Sequence, residues 1–174
     1  MEVNASVTTL TDERSEKLDA ARAGGSMNEN AVFPLLPVFK LLGTQWESID
    51  FFAKMRAGVD IFTKAVIRYP HAVASFQVGL GVKTEGNMVV SGTKGYAYVP
   101  APWWKTNYFE LRFEDQNLNK KYFYPYDGEG LRYEIKDFVS CIHNGSHGKL
   151  TRQEILRMSR VQELFLAGEN VYEI

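Results

Sequence analysis

Apolar residues recur along the chain with two different periods. Between residues 46 and 124 they fall mainly at every second position, which is typical of strands with one buried face. In Asn28–Leu42 they have helical spacing, but Pro34 and Pro37 predict a helix that begins late, near Pro34, or is kinked. The predicted strands are Val3–Leu10, Trp46–Met55, Val59–Tyr69, Ala72–Leu80, Met88–Val90, Tyr96–Val99, Tyr108–Phe113 and Lys121–Tyr124.

The helical period returns at the end of the chain. One apolar stripe runs from Leu131 to Ile142, and a capping-box pattern, Thr151-x-x-Glu154, starts a second helix. Thr11–Ala23 is compatible with a helix or an ordered loop. Short turn segments separate the strands, which favours antiparallel pairing because parallel strands need long crossovers. The order predicts a single α+β domain over residues 1–174: a large, predominantly antiparallel β-sheet with helices packed on one face.

The other face of this sheet must meet water or protein. Alternation places Val73, Ser75 and Gln77 on it, with Phe62 and Val66 among the charges of the preceding strand. A sheet that is partly apolar on both faces predicts a homodimer through the open face. The alternative is a solvated face with scattered apolar residues, as on most protein surfaces.

Charge and composition exclude several classes of protein. The chain has 20 basic and 21 acidic residues and a net charge of −1, whereas a nucleic-acid-binding protein normally has a basic excess. We expect no membrane span or signal peptide, because no apolar run is long enough. The single cysteine, Cys141, indicates a reducing, cytoplasmic setting.

Motifs for cofactors and metals are weak. The glycines from Gly79 to Gly86 have the wrong spacing for a dinucleotide fingerprint and are interpreted as hairpin turns. Cys141, His143 and His147 lie within seven residues at a helix end, but their spacing matches no familiar zinc site, so no metal is predicted.

The acidic strand residues also have a simple interpretation. Glu110 and Glu114 flank Arg112 on one predicted strand face. This pattern predicts an ion-paired solvent face rather than a pair of catalytic carboxylates.

Two segments are candidates for ligand binding. Of the 23 aromatic residues, 11 fall between positions 96 and 126, and they include the adjacent Trp103 and Trp104. The prolines around them predict an extended segment, in which one indole packs in the core and the other, with Lys105, faces a cleft. Packing of both indoles under the sheet edge is the alternative. Before the proline-containing helix, Asn28-Glu29-Asn30 either caps the helix or binds a polar ligand.

Taken in order, these motifs resemble the C-terminal domain of the Gfo/Idh/MocA family, the oxidoreductases related to glucose–fructose oxidoreductase and inositol dehydrogenase. The resemblance is strongest to the dimeric dihydrodiol dehydrogenase-like branch. It implies a fold like the C-terminal domain of glyceraldehyde-3-phosphate dehydrogenase, with the open sheet face used for oligomerisation as a dimer or tetramer. The matching segments are residues 24–34, 41–43, 91–95, 102–104 and 128–135, with Phe138.

The resemblance also implies a function shared between two domains. An N-terminal Rossmann domain, absent from these 174 residues, would hold NAD or NADP, and this domain alone would bind no coenzyme. The implied substrate is a sugar, polyol or nucleotide-sugar, and the domain would be inactive by itself. The alternatives are a non-enzymatic carbohydrate- or metabolite-binding dimer and a purely structural oligomerisation module.

Site residues follow from the resemblance position by position. Phe33 stands where relatives have a His or Tyr that donates or accepts a proton, so no catalytic residue is predicted with this role here. Glu29 and Leu36 stand where many relatives have aspartates, and Trp104 matches an aromatic residue that lines the substrate pocket. The predicted substrate-binding residues are Asn28, Glu29, Asn30, Phe33, Trp104 and Lys105.

Overall fold

A computed structural model describes residues 1–128, 130–145 and 148–174. The described residues form one nine-stranded sheet with the spatial order β8-β7-β6-β5-β1-β4-β3-β2-β9. The strands are β1 (Glu2–Thr8), β2 (Ser48–Arg56), β3 (Val59–Arg68), β4 (Val73–Gly79), β5 (Met88–Ser91), β6 (Tyr96–Val99), β7 (Tyr108–Arg112), β8 (Lys120–Phe123) and β9 (Val171–Glu173).

Most neighbouring strands are antiparallel, which confirms the predicted fold class. Two pairs are parallel: β1 with β4, and β2 with β9, a strand that the sequence pattern did not predict. Because β1 lies between β4 and β5, the segment after β4 passes the end of β1. The interpretation of Gly79–Gly86 as hairpin turns was therefore wrong, since a hairpin joins strands that pair with each other.

The helices are α1 (Ser26–Asn30), α2 (Val32–Leu42), α3 (Leu131–Asn144) and α4 (Arg152–Leu166). As predicted, the long apolar helix begins near Pro34, but the short helix α1 before it was missed. Pro37 lies inside α2. Thr11–Ala23 is an ordered loop with two single 3₁₀ turns, at Glu16–Leu18 and Ala20–Arg22.

The core lies between α2, α4 and one face of the central strands. Ala74, Phe76 and Val78 of β4 are buried there together with Phe51 of β2, as the alternation predicted. At the start of α4 the predicted capping box is present. Glu154 N–H donates to Thr151 Oγ1 at 3.2 Å, and Thr151 N–H donates to the Glu154 carboxylate at 2.7 Å.

α3 differs from the other long helices. Its sequence has the same apolar stripe as a core helix, which led us to expect that it packs on the sheet. All 14 of its residues are described, and none of them is buried. The amphipathic periodicity predicted the helix correctly but not the surface on which it packs. Periodicity identifies an apolar face of a helix and not what covers that face.

Candidate functional site

A buried carboxylate fixes the start of α1, the helix that carries the candidate residues Asn28, Glu29 and Asn30. Asp60 of β3 accepts hydrogen bonds from Ser26 Oγ, from Thr63 Oγ1 at 2.6 Å and from Met27 N–H at 3.0 Å. Ser26 and Thr63 are fully buried, and Asp60 is 3% exposed. The start of α1 is thereby held against the sheet by a charge-assisted network.

Burial raises the pKa of the Asp60 carboxyl above its ordinary value, and the hydrogen bonds from Ser26 and Thr63 partly oppose that shift. The hydrophobic pattern of the sequence did not predict a buried Asp60. Strict alternation from Thr63 places Asp60 on the opposite face, but the register of β2 on β3 shifts between Lys54 and Met55. Such a bulge re-aims the following side chains.

Asn28, Glu29, Asn30 and Phe33 follow this anchor. Asn28 Nδ2 donates to Ala23 O at 2.9 Å, and Glu29 lies 3.4 Å from Lys17 Nζ, so both contact the preceding loop. Within the described part of the chain, the buried Asn30 Nδ2 has no hydrogen-bond partner. Phe33 is 45% exposed.

Trp103 and Trp104 belong to a turn, and the prediction of an extended segment was wrong. Lys105 N–H donates to Pro102 O at 2.8 Å, which closes the turn. The two indoles meet edge to face with centroids 5.8 Å apart, and both pack against the core as partly buried side chains. Trp103 Nε1 donates to Ser6 O at 3.0 Å, so one edge of the pair is fixed to β1.

The two candidate segments lie at the same end of the central strands. Ser26 Oγ also donates to Val78 O at 3.3 Å, while Trp103 binds the carbonyl of Ser6. Val78 pairs with Val7, the neighbour of Ser6, in the parallel ladder of β1 and β4. The structure therefore brings α1 and the Trp103–Trp104 turn to the carboxyl ends of these two strands.

Aromatic side chains form a stack on the outer strands, and the sequence pattern did not predict which residues take part in it. Phe109 stacks on Tyr122 at 5.1 Å and on Tyr124 at 6.0 Å between ring centroids. The hydroxyl of Tyr126, which follows this stack, donates to Lys105 O. The cross-strand pairing of β7 with β8 creates the stack, and only the density of aromatic residues in the sequence pointed to it.

The opposite face of the same strands is ionic, as predicted. Arg112 lies 2.7 Å from the Glu110 carboxylate, and Lys121 lies 3.6 Å from it. The hydrogen bond from Arg112 is the main reason that the pKa of Glu110 is lowered. Arg112 also lies 4.4 Å from the ring centroid of Tyr98, so these charges are interleaved with aromatic side chains.

The glycine-containing segment after β4 uses three of its N–H groups inside the protein. Leu80 and Gly81 both donate their N–H groups to Ile61 O, at 2.9 and 3.0 Å. Thr84 N–H donates to Thr8 Oγ1 at 2.7 Å. A phosphate loop needs several N–H groups directed at the ligand, and those of Leu80, Gly81 and Thr84 are used inside the protein.

Among the described residues, no group of three or more His, Cys, Asp or Glu side chains is arranged to hold a metal ion. His147 of the weak Cys141-His143-His147 cluster lies outside the described residues, as does Glu129 of the segment 128–135. In the same part of the chain, no helix has both the length and the apolar character needed to cross a membrane.

Comparison with known proteins identifies sequence relatives. The chain is 27% identical over 135 residues to trans-1,2-dihydrobenzene-1,2-diol dehydrogenase from Bos taurus, a match that covers 73% of this chain and 40% of the enzyme. The enzyme of the same name from Oryctolagus cuniculus is 28% identical over 137 residues, with 74% and 41% covered. No family model matches the chain.

Solved structures share the fold. KijD10, a 3-ketoreductase from Actinomadura kijaniata in complex with NADP and TDP-benzene, superimposes with a TM-score of 0.83 at 15% identity, over 99% of this chain and 55% of that one. Aldose-aldose oxidoreductase from Caulobacter crescentus superimposes with a TM-score of 0.80 at 18% identity, over 95% and 52%. The chain resembles the Gfo/Idh/MocA oxidoreductases.

The Gfo/Idh/MocA resemblance confirms the predicted C-terminal-domain fold, a large mixed sheet with helices. It also shows that this chain spans about half the length, or less, of the proteins it matches. These relatives and neighbours are oxidoreductases. The roles of Asn28, Glu29, Asn30, Phe33, Trp104 and Lys105 stay predictions.

Proposed function

We propose that this chain is the substrate-binding and oligomerisation half of an NAD(P)-dependent oxidoreductase that acts on a sugar, polyol or nucleotide-sugar. The observation that carries the proposal is the match of nearly the whole chain to about half of an NADP-complexed 3-ketoreductase. The dihydrodiol dehydrogenases, which share sequence with the chain, support the same class of reaction.

The site supports a substrate role for the Trp103–Trp104 turn. An edge-to-face indole pair with one fixed edge offers a rigid aromatic surface, and flat aromatic faces stack on sugar rings and bases. Lys105 adds a positive charge at the same turn for a phosphate or carboxylate. α1, which carries Asn28, Glu29 and Asn30, is anchored at the same end of the sheet, and the proposal assigns the polar groups of these residues to the cleft.

Neither Phe33 nor Asp60 transfers a proton in this proposal. Phe33 has no titratable group, although it stands at the position where the family resemblance implies a His or Tyr. Asp60 is buried and committed to Ser26, Thr63 and Met27, so it anchors α1 and does not serve as an acid or base. The proposal therefore places the proton-transfer group in the coenzyme-binding half of the complete enzyme.

The proposal also assigns the coenzyme to that other half. When bound, NAD or NADP would accept or supply the hydride. The N–H groups of Leu80, Gly81 and Thr84 are used inside the protein, which supports a domain that binds no coenzyme alone. The single cysteine, Cys141, is free, and it supports a cytoplasmic location.

Oligomerisation through the open sheet face completes the proposal. Phe62, Val66 and Tyr98 lie on this face between charged residues, and in this proposal the same face of a second copy packs against them. A homodimer, or a tetramer built from dimers, would shield these side chains.

A chimaera tests the proposed activity. In it, this chain replaces the 55% of KijD10 with which nearly the whole chain superimposes, and NADP reduction is followed with glucose, myo-inositol and UDP-glucose. We expect turnover with at least one of them, and neither turnover nor NADPH binding by the 174-residue chain alone. Micromolar NADPH binding by that chain would contradict the proposal.

The alternative function is a non-enzymatic carbohydrate-binding dimer. The apolar side chain of Phe33 at the implied proton-transfer position favours it. Calorimetry separates the two functions. Under this alternative the isolated chain binds a sugar with the Trp104→Ala variant impaired, and the chimaera binds the same sugar without any turnover.

A further inference from the structure

α3 carries an apolar stripe that the described chain does not cover. Four residues at helical spacing form it: Leu131, Ile135, Phe138 and Ile142 are 62%, 53%, 66% and 64% exposed. We call these four residues the α3 stripe. Exposed apolar side chains that are contiguous along one helix face mark an interaction surface, whereas single ones do not.

The contrast with α4 shows that the exposure is not general. In α4 the corresponding stripe residues Met158, Val161 and Phe165 are 5%, 0% and 8% exposed. An isolated helix of 14 residues is only marginally stable in water, so α3 needs a surface against which to pack. The two helices have the same kind of apolar periodicity, but within the described part of the chain the stripe of α4 is covered and that of α3 is not.

The beginning of α3 is tied to the candidate substrate site. Tyr133 Oη accepts a hydrogen bond from Asp127 N–H at 2.8 Å, and Arg132 lies 3.4 Å from the Asp127 carboxylate. One residue earlier, Tyr126 donates to the carbonyl of Lys105. The first turn of α3 is therefore connected to the turn that carries Trp104 by two hydrogen bonds, which are joined through the peptide bond between Tyr126 and Asp127.

The middle of α3 is tied to the helix layer. Asp137 forms an ion pair with Lys149 at 2.6 Å, and Lys149 O accepts a hydrogen bond from Lys40 of α2 at 2.6 Å. Between α3 and the segment 148–150 runs an open groove of about 620 Å³ whose walls include Phe138, Cys141 and Leu150. The α3 stripe thus borders an apolar groove. Contacts at the first turn and in the middle of α3 hold the helix in position beside this groove.

We propose that the α3 stripe and this groove form the docking surface for the coenzyme-binding half of the enzyme. This inference rests on the proposed function. Two observations select this occupant over a second copy. The chain spans only 40% to 55% of the proteins it matches, so about half of each is available to cover the stripe. In addition, a domain docked on α3 lies beside Trp104 and Lys105, where the coenzyme must meet the substrate.

The 174-residue chain provides the first test, by comparison of two triple variants. Ile135→Gln/Phe138→Gln/Ile142→Gln changes the α3 stripe, and Lys136→Gln/Ser140→Gln/Asn144→Gln changes the opposite face as a matched control. Because the stripe is exposed, we expect both variants to have the wild-type melting temperature within about 2 °C. The stripe variant should also bind less of the dye ANS. A stripe variant that melts several degrees lower would show that the chain buries the stripe itself, which overturns the proposal.

The chimaera provides the second test, read by hydrogen exchange. We expect α3 amides to exchange at least about tenfold more slowly in the chimaera than in the isolated chain. The stripe variant should lose this protection and the control variant should keep it. Unchanged exchange in α3 overturns the proposal, and so does protection in the isolated chain that rises with protein concentration, because a second copy would then be the occupant.

NADPH fluorescence on the same chimaera separates the docking surface from the proposed function. NADPH binding and turnover with unprotected α3 would refute the docking surface and leave the oxidoreductase function standing. If α3 is protected from exchange but none of the three substrates is turned over, the oxidoreductase function is refuted. The docking surface on α3 would then still stand. If the chimaera does not fold, the melting and dye measurements on the isolated chain still decide whether the stripe is an exposed surface.

Discussion

Removal of the Ser26 hydroxyl tests how α1 is anchored to the sheet. In the Ser26→Ala variant the buried Asp60 carboxylate loses one of its hydroxyl donors, and Val78 O loses a weaker contact at 3.3 Å. The substitution removes one atom from a fully buried position and adds none, so steric strain does not contribute.

The magnitude follows from the charge of the acceptor. A hydrogen bond to a charged group contributes about 1.5–3 kcal/mol to stability, and one between neutral groups about 0.5–1.5 kcal/mol. We therefore expect Ser26→Ala to lower the free energy of unfolding by about 1.5–3 kcal/mol at a pH above the folded pKa of Asp60, where the carboxylate is ionised. When Asp60 is protonated, the loss should fall to the neutral range.

The raised pKa of Asp60 makes the stability of the fold depend on pH. Burial raises the pKa of Asp60 in the folded state above its ordinary value of 3.8. The native state therefore holds this proton more tightly than the unfolded state. The resulting stabilisation is present below pH 3.8 and is lost as the pH rises through the folded pKa. At pH 3.8 more than half of Asp60 is protonated in the native protein, so the effect of Ser26→Ala is smaller there.

Urea unfolding followed by circular dichroism measures the loss in free energy of unfolding and its dependence on pH. Thr63→Val is the matched variant, because it removes the other hydroxyl donor to Asp60 at nearly constant shape. Thr9→Ala removes an exposed hydroxyl as a control. The reasoning is refuted if Ser26→Ala costs no more than Thr9→Ala, or if its cost is the same at pH 7 and pH 3.8.

Four further predictions concern the site, the core, the helix layer and assembly. Trp104→Ala in the chimaera should weaken substrate binding by about 1–3 kcal/mol, seen as a raised KM; an unchanged KM removes the stacking role. Phe51→Ala in the fully buried core should cost about 3–5 kcal/mol in urea unfolding, and a loss below about 1 kcal/mol would contradict the packing. The hydrogen bond from Lys40 is the largest of several contacts, with those from Thr151, that lower the pKa of Glu154. The resulting stabilisation is present above the ordinary carboxyl pKa and is lost as the pH falls through the lowered value. Lys40→Met should reduce this pH dependence of the melting temperature, and an unchanged pH dependence would assign it to Thr151 or to other groups. Light scattering should report a dimer for the wild-type chain and a monomer for Val66→Glu on the open face, and a wild-type monomer at high concentration would refute the dimer.

The fold was largely predictable because its main elements carry their own periodicity. The two-residue period of β2 to β4 and the stripe of α4 each identify an element and its buried face without reference to the rest of the chain. The capping box at Thr151 is equally local, since both of its hydrogen bonds join residues three apart.

The candidate site was only partly predictable, because its residues meet through pairings that are far apart in sequence. Trp103 and Trp104 were recognised as candidates, but the turn that sets them edge to face was not. Asp60 was missed because a shift in strand register, invisible in the alternation, turns it inward to Ser26, which lies 34 positions earlier.

The sequence by itself determined the α+β class, the strands of the central sheet, the amphipathic helices and the resemblance to an oxidoreductase family. These properties depend on neighbouring residues, whose spacing decides which side chains share a face. Only the tertiary structure decided that β1 lies parallel to β4, that α1 and the Trp103–Trp104 turn meet at one end of these strands, and that α3 keeps its apolar stripe exposed. Such facts depend on which surfaces finally come into contact, and a local pattern shows that a face is apolar without showing what will cover it.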